Sequence, residues 1–253
     1  MSEQHYDFPT EVISLPSEGK GYPESNPLSK GTIEIKYMTA KEEEILASQN
    51  LIKKGVVLDK LFESIIVDRN INPNDILVGD KNAIMLATRI LAYGPQYEIE
   101  VYNSMDEKET IEIDLSKVKT KDIDTSLLKA DNRYQFTTPS GHKLVVKLLT
   151  HGDEQKIEEE IKALSKFNKS GVSAELTTRY RYIILEVDGK SDTKSIVDFI
   201  NNKFITRDTR AFREYIKNIS PDVLMEYEYE DPESGEKEVR PIPMGVGFFY
   251  PSL

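Results

Sequence analysis

Between residues 30 and 94 the chain is punctuated so closely that only a short strand followed by a set of compact helices fits. Thr32, Ile33, Glu34, Ile35, Lys36 and Tyr37 alternate in polarity and predict a strand. Thr39 and Glu42 have the spacing of a capping box, which starts a helix at about Ala40. The acids Glu42, Glu43 and Glu44 then occupy its first turn, where the helix dipole favours negative charge. With no histidine nearby, they read as a solvated helix terminus rather than a metal site. Gly55 permits a turn, after which Val57, Leu58, Leu61, Phe62, Ile65 and Ile66 recur at helical spacing as core residues. Asp68, Asn70 and Asn72 hold the first, third and fifth places of a calcium loop. Pro73 stands where that loop needs glycine and Gly79 where it needs its closing glutamate, so a proline turn is expected. Asp80 is expected to cap a last helix that buries Ile84, Ala87, Ile90 and Leu91 and stops at Gly94 and Pro95.

Composition narrows the chemistry. The 253 residues suffice for one large domain or two small ones, and 38% hydrophobic with 30% charged residues describes a globular protein with a well-solvated surface. A net charge of −11 argues against a nucleic-acid partner, because phosphate binding relies on lysine and arginine displacing counterions. It leaves protein partners open. The absence of cysteine removes disulfides, thiolate metal sites and thiol catalysis, and His5, His142 and His151 cannot build a zinc site without carboxylates. No catalytic, cofactor or metal constellation is expected. No apolar run of about 18 residues and no basic-then-apolar leader occurs, so the expectation is a cytoplasmic protein without a membrane partner.

Residues 1–30, with Pro9, Pro16, Pro23, Pro27, Gly19 and Gly21, read as an extended N-terminal arm. Its string SEGKG lacks the spacing and the leading strand of a phosphate loop and reads as a turn. From residue 96 the period becomes two: Tyr97, Ile99 and Val101 alternate with Glu98 and Glu100, and the pattern resumes with Ile111, Ile113 and Leu115, as in a hairpin with one wet face. A further hairpin is expected over 134–149, turning at Pro139 and Gly141. A helix beginning at Asp153 would bury Ile157, Ile161, Leu164 and Phe167, with Thr150 or Asp153 as cap and His151 in the loop before it. Leu176, Tyr180, Ile183, Ile184 and Val187 predict a helix closed by Gly189, although Thr177 and Thr178 would permit a strand. Helices are also expected over 194–203 and 209–219, the second capped by Thr206 or Asp208. Met225, Tyr227 and Tyr229 then alternate with Glu226, Glu228 and Glu230 in a second acidic hairpin that returns through Val239 and Ile242.

The fold class is therefore α+β: helical clusters each followed by antiparallel β-hairpins, with an extended N-terminal arm. The segments are 1–30 (arm), 31–150 (helical platform with hairpins), 151–222 (helical domain) and 223–253 (hairpin and aromatic tail).

Two groups are candidate partner-binding residues. Arg207, Arg210 and Arg213 gather around the start of the last helix, opposing its dipole, at a spacing that suits a partner's carboxylates; internal pairing with the many local acids is the commoner outcome. Phe248, Phe249 and Tyr250 form an aromatic run near the chain end, which must be buried either in this protein or in a partner.

Several long strings carry a family likeness: LPSEGKGYP at 15–23, KYMTAKEE at 36–43, IKKGVVLDK at 52–60, LVGDKNA at 77–83, RILAYG at 89–94, KLLTHGDE at 147–154, DTRAFR at 208–213 and FFYP at 248–251. Through them the chain resembles the baseplate hub and hub-assembly proteins of T-even-type contractile-tailed bacteriophages. The resemblance implies a non-enzymatic protein that binds other hub or tail proteins in the host cytoplasm during assembly, either leaving as a chaperone or staying in the tail baseplate. Related proteins often carry paired cysteines in two hairpin turns, suggestive of small zinc ribbons. The corresponding turns here, 103–106 and 231–234, have none, so packing alone is expected to hold the hairpins. An alternative reading is an acidic regulator or mimic that covers a basic protein surface. A remote one is a tail-associated glycoside hydrolase with two carboxylates about 5–9 Å apart; with 44 acidic residues such pairs are unavoidable and carry no weight.

Overall fold

The computed structural model describes residues 9–166, 173–244 and 246–249. The strand expected after residue 31 is β2 (Thr32–Lys36), and its partner comes from the segment read as an arm. There β1 (Thr10–Ser14) pairs antiparallel with β2, Thr10 opposite Lys36 and Ser14 opposite Thr32. Beyond Ser14 the expectation of an extended arm is corrected. The chain coils through turns and a 3-10 turn at Pro27–Lys30, and sends Leu15, Tyr22 and Leu28 into the core. Gly19, at φ +78°, makes this possible. A side chain there would stand 2.3 Å from the Ser29 carbonyl oxygen, so two backbones cross where only hydrogen fits.

The platform follows as α1 (Ala40–Ala47), α2 (Gln49–Lys54) and α3 (Val57–Ile65). The expected capping box forms at Thr39 and Glu42. Helix α3 buries Val57, Leu61, Phe62 and Ile65, packs on α1, and is tied to β2 by an Ile35–Ile66 bridge. The proline turn also forms: the Asn72 side chain accepts from the Asn74 amide ahead of Pro73–Asp75. Helix α4 (Val78–Tyr93) starts two residues before Asp80, so Asp80 is not its cap. It is covered on nearly every side, and even Lys81, Thr88 and Arg89 are buried, because the coiled N-terminal segment, the start of the next helix and the chain end all pack around it.

The first acidic hairpin is β3 (Gln96–Tyr102) with β4 (Lys108–Asp114), in a register that opposes Ile99 to Ile111 on one face and Glu98 to Glu112 on the other. Next come β5 (Tyr134–Thr137) and β6 (Lys143–Val146), then α5 (His151–Ser165). Thr150 caps α5 in a box with Asp153, which puts His151 inside the first turn rather than in the loop before it. Ile157 is buried, Leu164 is exposed contrary to expectation, and Phe167 lies outside the described residues. The helix expected across residues 176–187 divides. Helix α6 (Glu175–Ile183) ends, and β7 (Ile184–Val187) completes a β5-β6-β7 sheet. The edge of β6 offers backbone hydrogen bonds there, and Ile184 and Val187 bury on the sheet, while Leu176 is left exposed.

Helices α7 (Thr193–Asn202) and α8 (Thr206–Ile219) pack on α6 through Tyr180, Phe199, Phe204 and Phe212, whose neighbouring rings stand 4.9–5.6 Å apart. Ile205 precedes α8, so neither Thr206 nor Asp208 is its cap. The second acidic hairpin, β8 (Glu226–Glu230) with β9 (Lys237–Pro241), and a 3-10 turn at Val246–Phe249 complete the described chain. A single hydrophobic cluster runs from Leu15 to Phe249, so helical groups and hairpins share one core. Among the described residues no helix is long and apolar enough to cross a membrane.

Candidate functional site

The residues that most resemble active-site groups are engaged in joining distant segments. Glu42 is fully buried, which corrects the picture of a solvated acidic terminus; its neighbours Glu43 and Glu44 stay exposed. Its carboxylate takes the Lys36 ammonium at 2.8 Å, the Thr39 amide at 2.8 Å, the Thr39 hydroxyl at 2.6 Å and the Ser64 hydroxyl. Burial alone would raise its pKa, but Lys36, Ser64 and Thr39 together outweigh it and hold the group at about 2, against an ordinary 4.5. Because the folded-state pKa is the lower one, the stability that Glu42 contributes is present above pH 4.5 and is lost as pH falls towards 2. Glu42→Gln is expected to cost about 2 kcal/mol at neutral pH and to flatten the acid limb of the stability curve, measured by urea denaturation across that window.

The cluster at residues 151–154 disperses in the same way. His151 Nε2 meets Asp59 Oδ1 at 2.6 Å, Asp153 takes the Lys147 ammonium at 2.7 Å, and Glu154 pairs with Lys81. Asp80 accepts from the Ser17 amide and hydroxyl and from the Tyr22 hydroxyl. Asp208, fully buried, accepts from the Ser140 amide and hydroxyl, which ties α8 to the β5–β6 turn. Arg89 is buried and donates to the carbonyls of Phe248 at 3.0 Å, Gly94 at 3.1 Å and Gln96 at 3.3 Å; burial pulls its pKa below the usual guanidinium value. Among the described residues no group of three or more histidine, aspartate or glutamate side chains could hold a metal ion.

Of the expected partner-binding residues, the aromatic pair turns inward. Phe248 and Phe249 are 1% and 0% exposed, and Phe248 packs edge-on against Tyr97 at 5.2 Å. They belong to this protein's core, and Tyr250 lies outside the described residues. Phe249→Ala is expected to lower stability by about 3 kcal/mol, read as a lower urea midpoint at unchanged slope. Among the described residues Arg207, Arg210 and Arg213 form no ion pair, contrary to the expectation of internal pairing; all three are exposed on α8, and Arg213 donates to the Tyr180 hydroxyl at 3.3 Å. The acid that would neutralise them, Asp208, is turned inward to Ser140.

A concave surface is built by two hairpins far apart in sequence. Their tips are clasped by Asp231, which accepts from the Ser104 amide at 2.7 Å and the Ser104 hydroxyl at 3.1 Å across 127 residues of chain. The Ser234 amide, against the opposing effect of burial, and then the amides of Ser104 and Glu233 hold that carboxyl at about 2. The two turns that lack cysteines therefore meet, and hydrogen bonds rather than packing alone hold them. Tyr229 donates to Glu109, which pushes its hydroxyl up to about 12, and the Arg240 guanidinium lies 3.7 Å over the Tyr229 ring. At the base, Thr120 and Val223 form an antiparallel bridge, flanked by Lys121 N–H to Asp222 O at 2.9 Å and Leu224 N–H to Lys119 O at 2.7 Å.

Between these two staples β4 and β8 do not pair, and a groove of about 840 Å³ opens. Successive residues 111–114 and 226–230 line it. Ile111, Tyr227 and Val239 give it apolar surface over the buried Ile113 and Tyr229, Glu112, Glu226 and Glu228 stand exposed around them, and Lys117 and Lys119 lie at its margin. Three other acids of the two hairpins have cationic partners: Glu100 has Lys108, Glu230 has Lys237 and Glu238 has Arg240. Among the described residues Glu112, Glu226 and Glu228 form no ion pair within 4.0 Å, although Lys237 feels the charge of Glu228, and Lys117 and Lys119 also line the groove. The sequence signal was the alternation of glutamate with apolar residues in both hairpins. Their approach was not encoded locally. Compared with known proteins, the chain matches no family model, no curated protein and no solved structure.

Proposed function

We propose that this chain is a non-enzymatic assembly or structural protein of a contractile-tail baseplate hub, working in the host cytoplasm while the hub is built. The observation that supports this most directly is where the strings of family likeness fall. String 15–23 supplies Ser17 and Tyr22 to Asp80 of 77–83. String 36–43 contains the Lys36–Glu42 pair, and Asp59 of 52–60 engages His151 of 147–154. Arg89 opens 89–94 and holds the carbonyl of Phe248 in 248–251, and Asp208 opens 208–213 and anchors Ser140. The likeness is thus a likeness of clamps between distant segments, the residues that a common framework needs. Buried polar groups of this kind serve a framework when each has a hydrogen-bond partner, as these do. A rigid body of this kind, with its polar groups used inwardly, acts through the surfaces it presents to other proteins.

The test is to tag the chain in a contractile-tailed phage that carries it and to analyse tail intermediates and finished particles by mass spectrometry. Co-purification with hub subunits is expected. Recovery with neither intermediates nor particles would overturn the reading, and recovery from intermediates alone would identify an assembly chaperone.

A further inference from the structure

We infer that the groove between β4 and β8 is a docking site for an extended, basic segment of a partner protein, bound by strand addition. None of its lining residues belongs to the strings that suggest the hub assignment, so the inference stands apart from that reading.

Three observations identify the occupant. First, each hairpin is only two strands wide, so β4 and β8 each keep one edge of backbone donors and acceptors without a strand neighbour among the described residues. An unpaired edge is a template for a further strand, and successive residues of both strands line the same groove. Secondly, the groove has apolar surface from Ile111, Tyr227 and Val239, which suits a segment with apolar residues at alternate positions. Thirdly, acids outnumber bases around the groove: Glu109, Glu112, Asp114, Glu226, Glu228 and Glu230 line it against Lys117 and Lys119, and Glu112, Glu226 and Glu228 are exposed. Lysine or arginine at the intervening positions would complement this excess, whereas nucleic acid or an acidic segment would be repelled. A second copy of this hairpin pair would bring the same carboxylates face to face, which argues against self-association here. The edges are seven residues (β4) and five residues (β8) long, which sets the length of chain that fits.

The staples at tip and base explain why the site persists when empty. Asp231 with Ser104 at one end, and the Thr120–Val223 bridge at the other, keep the hairpins from either closing on each other or separating. The occupant therefore meets a preformed slot and gives up mainly its own freedom.

The experiment uses the full chain and a fluorescein-labelled synthetic heptapeptide alternating lysine with valine, followed by fluorescence anisotropy. Wild type is expected to bind this peptide about tenfold more tightly than a peptide alternating glutamate with valine. A Glu112→Gln/Glu226→Gln/Glu228→Gln variant should lose about tenfold in affinity while its thermal unfolding midpoint stays unchanged. Because the whole chain is acidic, a control with the distant exposed acids Glu24→Gln/Glu44→Gln/Glu159→Gln should bind as wild type does. Methylating alternate backbone amides of the lysine peptide removes edge hydrogen bonds without altering charge, and should also weaken binding about tenfold. Equal affinity of the groove variant and the control variant would overturn the site. Indifference to methylation would overturn strand addition, and absence of binding to wild type would overturn both.

Discussion

Gly79→Ala is expected to destabilise the protein by about 4 kcal/mol, although alanine is the better helix former. Gly79 lies in the first turn of α4 at an ordinary helical φ, where alanine would by itself gain about 1 kcal/mol. The added Cβ would lie 1.7 Å from the Pro221 carbonyl oxygen and 2.8 Å from the Asp222 Cα. Both are backbone atoms, so no side chain can swing aside. The segment entering β8 would have to lift from α4, straining Asn82 Nδ2 to Asp222 Oδ1 at 3.0 Å and Lys121 Nζ to the Ser220 carbonyl at 3.0 Å. Overpacking against fixed backbone falls at the costly end of single substitutions. Urea denaturation measures the effect, with Gly189→Ala as comparison: there φ is +79° but nothing lies within 4 Å, so only backbone strain of about 1 kcal/mol is added. If the two variants lost equal stability, close approach would not be why residue 79 is glycine.

Asp80→Ala is the second large effect, also at about 4 kcal/mol. The carboxylate is fully buried and accepts from the Ser17 amide at 2.9 Å, the Ser17 hydroxyl at 2.7 Å and the Tyr22 hydroxyl at 2.6 Å, while the Tyr22 oxygen accepts from the Leu77 amide at 2.9 Å. Burial pushes its pKa up from the usual carboxylate range, with Tyr22 and Ser17 pulling the other way. Truncation leaves three donors without their acceptor in a site from which water is excluded, each costing about 1–3 kcal/mol. Tyr22→Phe removes one donor to Asp80 and the acceptor for Leu77, and should cost about 2 kcal/mol. The double variant should lose clearly less than the sum, since the two side chains share one bond. Additive losses would show that Tyr22 and Asp80 act independently.

Most elements could be read from the chain, and the failures have physical causes. Thr39 with Glu42 marked a helix start correctly because a capping box is satisfied within four residues, and the alternation through Tyr97, Ile99 and Val101 marked a strand for the same local reason. Asp80, and Asp208 as an alternative to Thr206, have the sequence signal of a cap without being one. Each is the right residue type near a helix start, yet each lies inside the first turn and turns its carboxylate to a segment 63 or 68 residues away. The apolar spacing of residues 176–187 fits one helix, and only the open edge of β6 decides where helix gives way to strand. The aromatic pair Phe248 and Phe249 announced burial without saying where. Arg89 and Tyr97 supply the answer.

The candidate groove was half visible. Both acidic hairpins were legible, since a period of two with one charged face needs only neighbouring residues. Their apposition was not, because it depends on Asp231 finding Ser104 and on Thr120 meeting Val223, contacts that carry no periodic signature in either segment. The chain alone thus determines most of the helices, strands and turns and that the surface is acidic, because caps, alternation and charge are short-range properties. Tertiary structure decides which acids are consumed as internal clamps and which stand exposed around a groove, because that depends on which distant donors the folded backbone brings within hydrogen-bond reach.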